Sequence, residues 1–398
     1  MKICVFAHTF PKFKNDGTAA FMEGFCEGLQ KIGHQVTVLL PYDPAIKKSA
    51  RAFQIITFKY IYPDKLSLFG YSRTLENGQK LKPWILLLAP FYLFFGFWAL
   101  LRLVKKEKIE LINAHWIVPG GFIGSLVSYL TGVPLLISAP GADIYLCKKF
   151  TFFKLLAVFS SWRSSQVIVA GSPLWIEDLA AIGINKDKLS SINYGVNVKQ
   201  YYPIRSVLKK ELGLKNSAKV ILSVGRLIPR KGMDVLIKAI PEVVKKNPQA
   251  FFVIVGDGEQ REELEFLAKK LKVFDHLLMV GYKKRDELLR FYNMCDLYVT
   301  CSNRDKEGTL DDAQIALIEA MACKKPVIAS DLPGNKLVVR DEMGGYIFPQ
   351  GDVKMLSQKI NILTKDREKR KKFASYNLKL TRKEFSIEAV ARAYSQFI

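Results

Sequence analysis

Residues 219–246 read KVILSVGRLIPRKGMDVLIKAIPEVVKK. The run KVILSVG (219–225) is short, apolar, rich in β-branched residues and closed by glycine, the pattern of a buried strand. MDVLIKAIPEVVKK (233–246) repeats apolar residues at helical spacing, so it predicts a helix with one face on a core. Gly225, Arg226, Lys231 and Gly232 lie between them, at the carboxyl end of the strand. That end is where open parallel sheets receive ligands. Arg226 can grip two oxygens at once and Lys231 adds a point charge, so the pair suits a diphosphate. The alternative is a pair of solvated loop charges.

The same strand-then-helix rhythm extends in both directions. Downstream come strands at 250–258, 276–282, 296–302 and 326–330, with helices at 259–272, 285–293 and near 313–323. Upstream, strands at 2–8, 35–41, 109–116 and 134–140 alternate with helices at 19–33 and 120–132. This rhythm predicts parallel sheets covered by helices on both faces. It restarts after INYGVNVKQYYP (192–203), so the expected fold is α/β, with two doubly wound Rossmann-like domains facing a central cleft.

The chain has 398 residues and a formal net charge of +23. Residues 1–205 hold 24 Lys/Arg against 12 Asp/Glu, and the remainder 36 against 25, so the excess is no detachable tail. Such a balance implies an anionic partner: phosphate-bearing ligands, an acidic membrane surface or nucleic acid. No helix-turn-helix, zinc-finger or RNA-binding signature supports nucleic acid, which stays a remote alternative. The six cysteines form no C-x-x-C pair and sit among apolar residues, as reduced thiols of a cytosolic protein would. MKICVFAHTF is expected to open the first strand rather than to act as a leader.

Residues 84–101, WILLLAPFYLFFGFWALL, are an apolar run of membrane-spanning length. Lys80 and Lys82 precede it; Arg102, Lys105, Lys106 and Lys108 follow. A single span here would put strands 2–8 and 35–41 across a bilayer from strands 109–116 and 134–140, which one sheet forbids. A buried helix and an in-plane helix with basic flanks remain, and a membrane-docking segment near 80–108 is expected. CKKFTFFKLL (147–156) has the character of a second contact.

EGTLDDAQIALIEAMACKKPVIAS (307–330) carries Asp311 and Glu319, eight residues apart. The first falls in a loop and the second inside a helix that is otherwise apolar. A carboxylate there is costly without a partner such as ribose hydroxyls. Backbone N–H groups near 312–315, at the helix start, suit an anion. A dipole-stabilising Asp311 with a structurally paired Glu319 is the alternative.

Together with HTFPKFKNDGTAAFMEGFCEGLQKIGHQVTVLLP, INAHWIVPGGFIG, VIVAGSPLWIEDLAAIGI, VGDGEQREEL and GGYIFPQGD, these segments resemble the retaining GT-B glycosyltransferases of glycosyltransferase family 4. The resemblance implies transfer of a sugar, with retention, from a nucleotide-diphosphate sugar. It implies that Arg226 and Lys231 hold the donor diphosphate and act catalytically, that Glu319 binds the ribose, and that Asp311 faces the sugar. Asp312 and Ala313 would offer backbone to the donor. Gly17 would let backbone approach the diphosphate, and Tyr282 would frame the base. His115 and Asp143 are candidates for acceptor or sugar contacts. Asp311 stands where the family usually has Glu, Pro140 where it commonly has His, and Leu337 where relatives often have Glu.

The chain has no Asp-x-Asp pair, so no metal or other cofactor is indicated. The expected activity is that of a metal-independent hexosyltransferase acting on a membrane-associated acceptor, lipid-linked or a glycolipid. The expected site is the inner face of the cytoplasmic membrane, where an anionic surface holds the protein peripherally. A GT-B-fold sugar-nucleotide epimerase or hydrolase is the alternative. The expected domains are an acceptor-binding one over 1–203, a nucleotide-sugar-binding one over 204–383, and a helix over 384–398 that could pack back on the first.

Overall fold

The computed structural model describes residues 1–13, 16–46, 51–71, 75–76, 80–81, 87–304 and 315–398. The chain divides into two units, Met1–Gly195 with Ile387–Ile398, and Val196–Ser386.

The first unit is built on strands β1 (Lys2–Phe6), β2 (Gln35–Pro41), β3 (Gln54–Phe58), a hairpin of β4 (Leu75–Glu76) and β5 (Lys80–Leu81), β6 (Leu111–His115), β7 (Leu135–Ala139), β8 (Gln166–Val169) and β9 (Leu189–Ser191). Its helices are α1 (Ala20–Lys31), α2 (Ala89–Glu107), α3 (Phe122–Thr131), α4 (Ala142–Lys149), α5 (Thr151–Arg163) and α6 (Leu174–Ala181). The main sheet runs β3-β2-β1-β6-β7-β8-β9, parallel throughout, with Ile3 between Val36 and Leu111 in register. All five residues of β6 and of β7 are buried, as strands covered on both faces should be.

The second unit continues with β10 (Lys219–Val224), β11 (Ala250–Val255), β12 (Leu277–Met279), β13 (Leu297–Thr300), β14 (Val327–Ser330) and β15 (Gly345–Phe348). Its helices are α7 (Leu208–Glu211), α8 (Met233–Lys246), α9 (Arg261–Lys270), α10 (Arg285–Met294), α11 (Ile315–Ala322), α12 (Pro333–Val338), α13 (Val353–Lys365) and α14 (Arg367–Leu380). The strand order is β12-β11-β10-β13-β14-β15. Alternate strand residues feed two cores. Ile221, Phe252 and Leu297 pack with α8 on one face, and Leu222, Val253 and Tyr298 pack with α10 and α11 on the other.

The chain returns to the first unit in α15 (Ile387–Ser395). Gly24 and Gly28 of α1 admit it closely, since a Cβ on Gly28 would lie 2.3 Å from the Ile387 carbonyl oxygen. The boundaries differ from 203 and 384. Val196 and Tyr201 are buried in the second core, and the Val196 N–H donates to the Phe385 carbonyl at 2.8 Å. The segment 196–203 is therefore packed structure rather than linker.

In the region of the apolar run, helix α2 begins at Ala89, while residues 82–86 lie outside those described. α2 carries Arg102 and, in its last turn, Lys105 and Lys106, and no helix among the described residues is long and apolar enough to cross a membrane.

Candidate active site

In both units the strand order reverses beside the first strand: β1 is flanked by β2 and β6, β10 by β11 and β13. The crevice outside the strand ends at such a reversal is where doubly wound sheets bind ligands. Gly17 follows β1 and His115 ends β6 at the first of these points, and Arg226 and Lys231 follow β10 at the second, whereas Asp143 follows β7 and Tyr282 follows the edge strand β12.

In the second unit, Gly225 follows β10 and its N–H bonds the Val255 carbonyl at 2.9 Å. Arg226 is exposed on the loop, while Leu227 is fully buried and anchors it. Lys231 folds back over the strand end, so that a Cβ on Gly225 would meet Lys231 Cδ at 3.4 Å. Gly232 has φ 61° and packs against β13's continuation, where a Cβ would sit 2.1 Å from the Cys301 carbonyl oxygen. The Asn303 N–H also bonds the Arg230 carbonyl at 3.0 Å. The cationic loop is thus fastened to the start of the loop that leads into α11, on the neighbouring strand.

Glu319 lies in α11 and is only 6 % exposed. Its Oε2 accepts the hydroxyl of Tyr292, from α10, at 2.7 Å. Burial raises its carboxyl above the usual range; Tyr292, the positive charge of Arg285 and Tyr201 pull the other way. The partner that a buried carboxylate requires is thus partly supplied from within the fold. Tyr282 is exposed after β12, beyond Gly281, whose carbonyl accepts the Gly256 N–H at 2.9 Å. Asp311, Asp312 and Ala313 lie outside the described residues, as do the N–H groups of 312–314.

In the first unit, Gly17 is exposed in the loop between β1 and α1. Asp16 organises that loop, accepting the N–H groups of Lys12 and Thr18, each at 2.9 Å. His115 ends β6 and is 3 % exposed, with no partner at Nε2 among the described residues. Burial pushes its ring down to about 3, and the nearby His8 acts in the same direction. His8, two residues past β1, packs against Trp116 with ring centroids 4.0 Å apart and the rings tilted by 50°. Asp143 starts α4, buried, and its carboxylate accepts the N–H groups of Ile117 and Gly141. It braces the two loops rather than standing free for a ligand. Burial still pushes its carboxyl up to about 6, against the effect of those N–H donors.

Sequence reasoning passes over Tyr292 and His8. The need of a buried Glu319 for a donor points to a partner without saying which. His8 is visible only as a polar residue just past a strand's carboxyl end, beside the sheet reversal.

The Glycosyltransferase Family 4 model matches residues 15–200, and the Glycosyl transferases group 1 model matches residues 205–380. The fold superposes on that of Anabaena HepE, solved in complex with UDP, with a TM-score of 0.75, 20 % identity and coverage of 100 % of this chain and 99 % of that one. The chain is a GT-B glycosyltransferase. This glycosyltransferase is 25 % identical over 368 residues to an uncharacterised glycosyltransferase of Methanocaldococcus jannaschii, across 88 % of its own length and 86 % of the relative's. It is 26 % identical over 265 residues to the UDP-Gal:alpha-D-GlcNAc-diphosphoundecaprenol alpha-1,3-galactosyltransferase of Escherichia coli, across 64 % and 66 %.

Proposed function

We propose that this glycosyltransferase belongs to the retaining enzymes of family 4 and moves a hexose from a nucleotide-diphosphate sugar to a lipid-linked or glycolipid acceptor. The observation that carries the donor half is the cationic loop: Lys231 folded over the end of β10, with Arg226 exposed beside it, at the sheet reversal of the second unit. Two cations there meet the charge that develops on a departing diphosphate, with no reorganisation at the moment of reaction. Glu319 takes the ribose, Tyr282 borders the base and Asp311 faces the sugar. In a front-face displacement the C1–O bond to phosphate breaks as the acceptor oxygen bonds C1 on the same side, and the leaving phosphate oxygen takes the acceptor's proton. No protein base is required, and the reading calls for no metal.

The acceptor half rests on the outer face of the first unit. α2 packs beside α3, and α3 beside α5. Phe91, Phe94, Phe95 and Trp98 of α2 are exposed, as are Tyr129 and Leu130 of α3 and Phe152, Leu155 and Trp162 of α5. Arg102, Lys105 and Lys106 extend the α2 stripe, and Lys149, Lys154 and Arg163 border α5. Lys148 contributes less, because Asp178 holds it at 2.6 Å. Aromatics edged by cations suit an anionic membrane surface and support the reading of a peripheral place on the inner face of the cytoplasmic membrane. The E. coli galactosyltransferase, whose name specifies a diphosphoundecaprenol acceptor, supports this choice.

The test is a melting-temperature screen against UDP-, GDP- and ADP-sugars, followed by transfer to a polyprenyl-diphosphate sugar and NMR of the new anomeric centre. Stabilisation by one donor class, transfer and a retained configuration are expected. An inverted product would refute the retaining assignment. Release of free sugar or an epimer with no acceptor consumed would move the protein to the hydrolase or epimerase reading.

A further inference from the structure

Every buried charge in a fold raises the question of what keeps it there. Glu319 is the carboxylate in an otherwise apolar helix, and replacing a buried polar pair with well-packed hydrophobic groups is often neutral or stabilising. The Glu319–Tyr292 pair is therefore poorly explained as a device for stability. Its position gives another reason. α11 follows β13 and packs against it, and β13 is the strand beside β10 at the sheet reversal, so Glu319 belongs to the helix over the neighbouring strand rather than to a remote edge. Tyr292 is fully buried, its ring packed between Tyr201 at 5.8 Å and Tyr298 at 6.0 Å. A phenol held by two further rings is a rigid donor, and it fixes the direction in which the carboxylate points.

We propose that Tyr292 is the positioning residue for nucleotide binding: its hydroxyl holds Oε2 of Glu319 and so presents Oε1 to the ribose diol. The inference rests on the reading of Glu319 as the ribose ligand. A hydrogen bond to the ionised carboxylate also favours the charged form, which is the better acceptor for a sugar hydroxyl. Burial opposes ionisation at this site, and the Tyr292 hydroxyl opposes burial. Tyr292 thus sets the aim of the carboxylate and, acting in the same direction as Arg285 and Tyr201, extends the pH range over which it is charged.

The experiment is calorimetric titration of the full-length protein with UDP, GDP and ADP, carried on with whichever binds. Tyr292→Phe removes one oxygen and keeps the ring. It is expected to weaken that nucleotide about tenfold, the worth of one hydrogen bond to a charged group. Its kcat at saturating donor should be unchanged while KM rises. The acid loss of nucleotide affinity should begin at higher pH than in wild type, because the carboxyl has lost a group that keeps it ionised. In a Glu319→Gln background, Tyr292→Phe should have no further effect on affinity. Should Tyr292→Phe fail to fold, Glu319→Asp withdraws the carboxylate from the hydroxyl by one methylene, and the same loss of affinity is expected. Wild-type affinity and an unmoved acid limb in Tyr292→Phe, or wild-type affinity in Glu319→Asp, with Glu319→Gln impaired, would overturn the positioning role alone. Wild-type affinity in Glu319→Gln would overturn the ribose reading beneath it, and the positioning role with it.

Discussion

Oδ2 of Asp143 accepts the backbone N–H of Ile117 at 2.7 Å, while its Oδ1 accepts that of Gly141 at 3.1 Å. One buried carboxylate therefore ties the loop after β6 to the loop after β7, at the edge of the first sheet where His115 also lies. Asp143→Ala leaves both N–H groups without this acceptor. Each buried orphan costs about 1–3 kcal/mol, so the first unit should lose roughly 2–6 kcal/mol of stability. Urea denaturation measures the loss, and amide exchange should quicken at Ile117 and Gly141. Asp143→Asn should fall between, since its amide oxygen can keep one donor. An unchanged denaturation midpoint in Asp143→Ala would show that the loops hold without the brace.

The same edge carries two opposite pH dependences. Burial places the Asp143 carboxyl near 6 in the folded protein, above its ordinary value of 3.8. Its contribution to stability is therefore full below about 4 and is lost as pH rises through about 6. His8 and His115 run the other way. Burial lowers both to about 3 from 6.5, so their contribution is present above about 6.5 and is lost as pH falls toward 3. Thermal melts from pH 4 to 8 should show Asp143→Asn gaining on the wild type as pH rises from 4 to 6. His8→Gln with His115→Gln should soften the wild type's decline below pH 6.5. Curves parallel to wild type in both variants would contradict these environments.

Both sheets are legible in the sequence because their central strands, β1, β6, β10, β11 and β13, are buried on two sides and read as unbroken apolar runs. β3, β8, β9 and β15, which the pattern does not single out, lie at or beside a sheet edge; β12 and β14 are as short but stand in the apolar runs HLLMVGY and PVIAS. The cationic loop is legible because strand, glycine, cations and helix are contiguous. The Tyr292 partner of Glu319 is not, since 27 residues and an intervening strand separate the two. Asp143's role is half legible. Its place at a strand's carboxyl end can be read, but its two N–H donors come from the folded loops.

If Arg226 and Lys231 stabilise the departing diphosphate, replacing either with Ala should cost about 2–4 kcal/mol of transition-state stabilisation, a rate loss of roughly 30- to 1,000-fold. The fold should survive Arg226→Ala unchanged, because that side chain is exposed. Lys231→Ala should lower the melting temperature slightly, because its methylenes cover the end of β10. Initial rates at saturating donor, together with melting curves, separate the two effects. Wild-type turnover in both variants would remove the loop from the chemistry.

The aromatic face of the first unit divides cleanly by exposure, and that division makes the membrane proposal testable. On α2, Phe94 is 59 % and Trp98 43 % exposed, while Tyr92, on the opposite side, is fully buried against Phe58, Tyr60 and Phe69. Phe94→Ser with Trp98→Ser should therefore melt like wild type yet lose sedimentation with phosphatidylglycerol vesicles. Tyr92→Ser should unfold the unit instead. Phe152→Ser with Trp162→Ser on α5 should act like the first pair, because those side chains are also exposed. Each Lys or Arg near an anionic surface contributes about 1 kcal/mol, screened by salt. Binding should therefore fall with added salt, and should fall further when Lys105, Lys106 and Lys108 are replaced together with Glu. Neutral vesicles should retain less protein than anionic ones at equal lipid. Transfer to a lipid-linked acceptor should drop with vesicle binding in every one of these exposed-face variants, while transfer to a short-chain, water-soluble acceptor stays at the wild-type rate. A protein that ignores anionic vesicles at low salt and uses the soluble acceptor at full rate would leave the exposed aromatics without a membrane role.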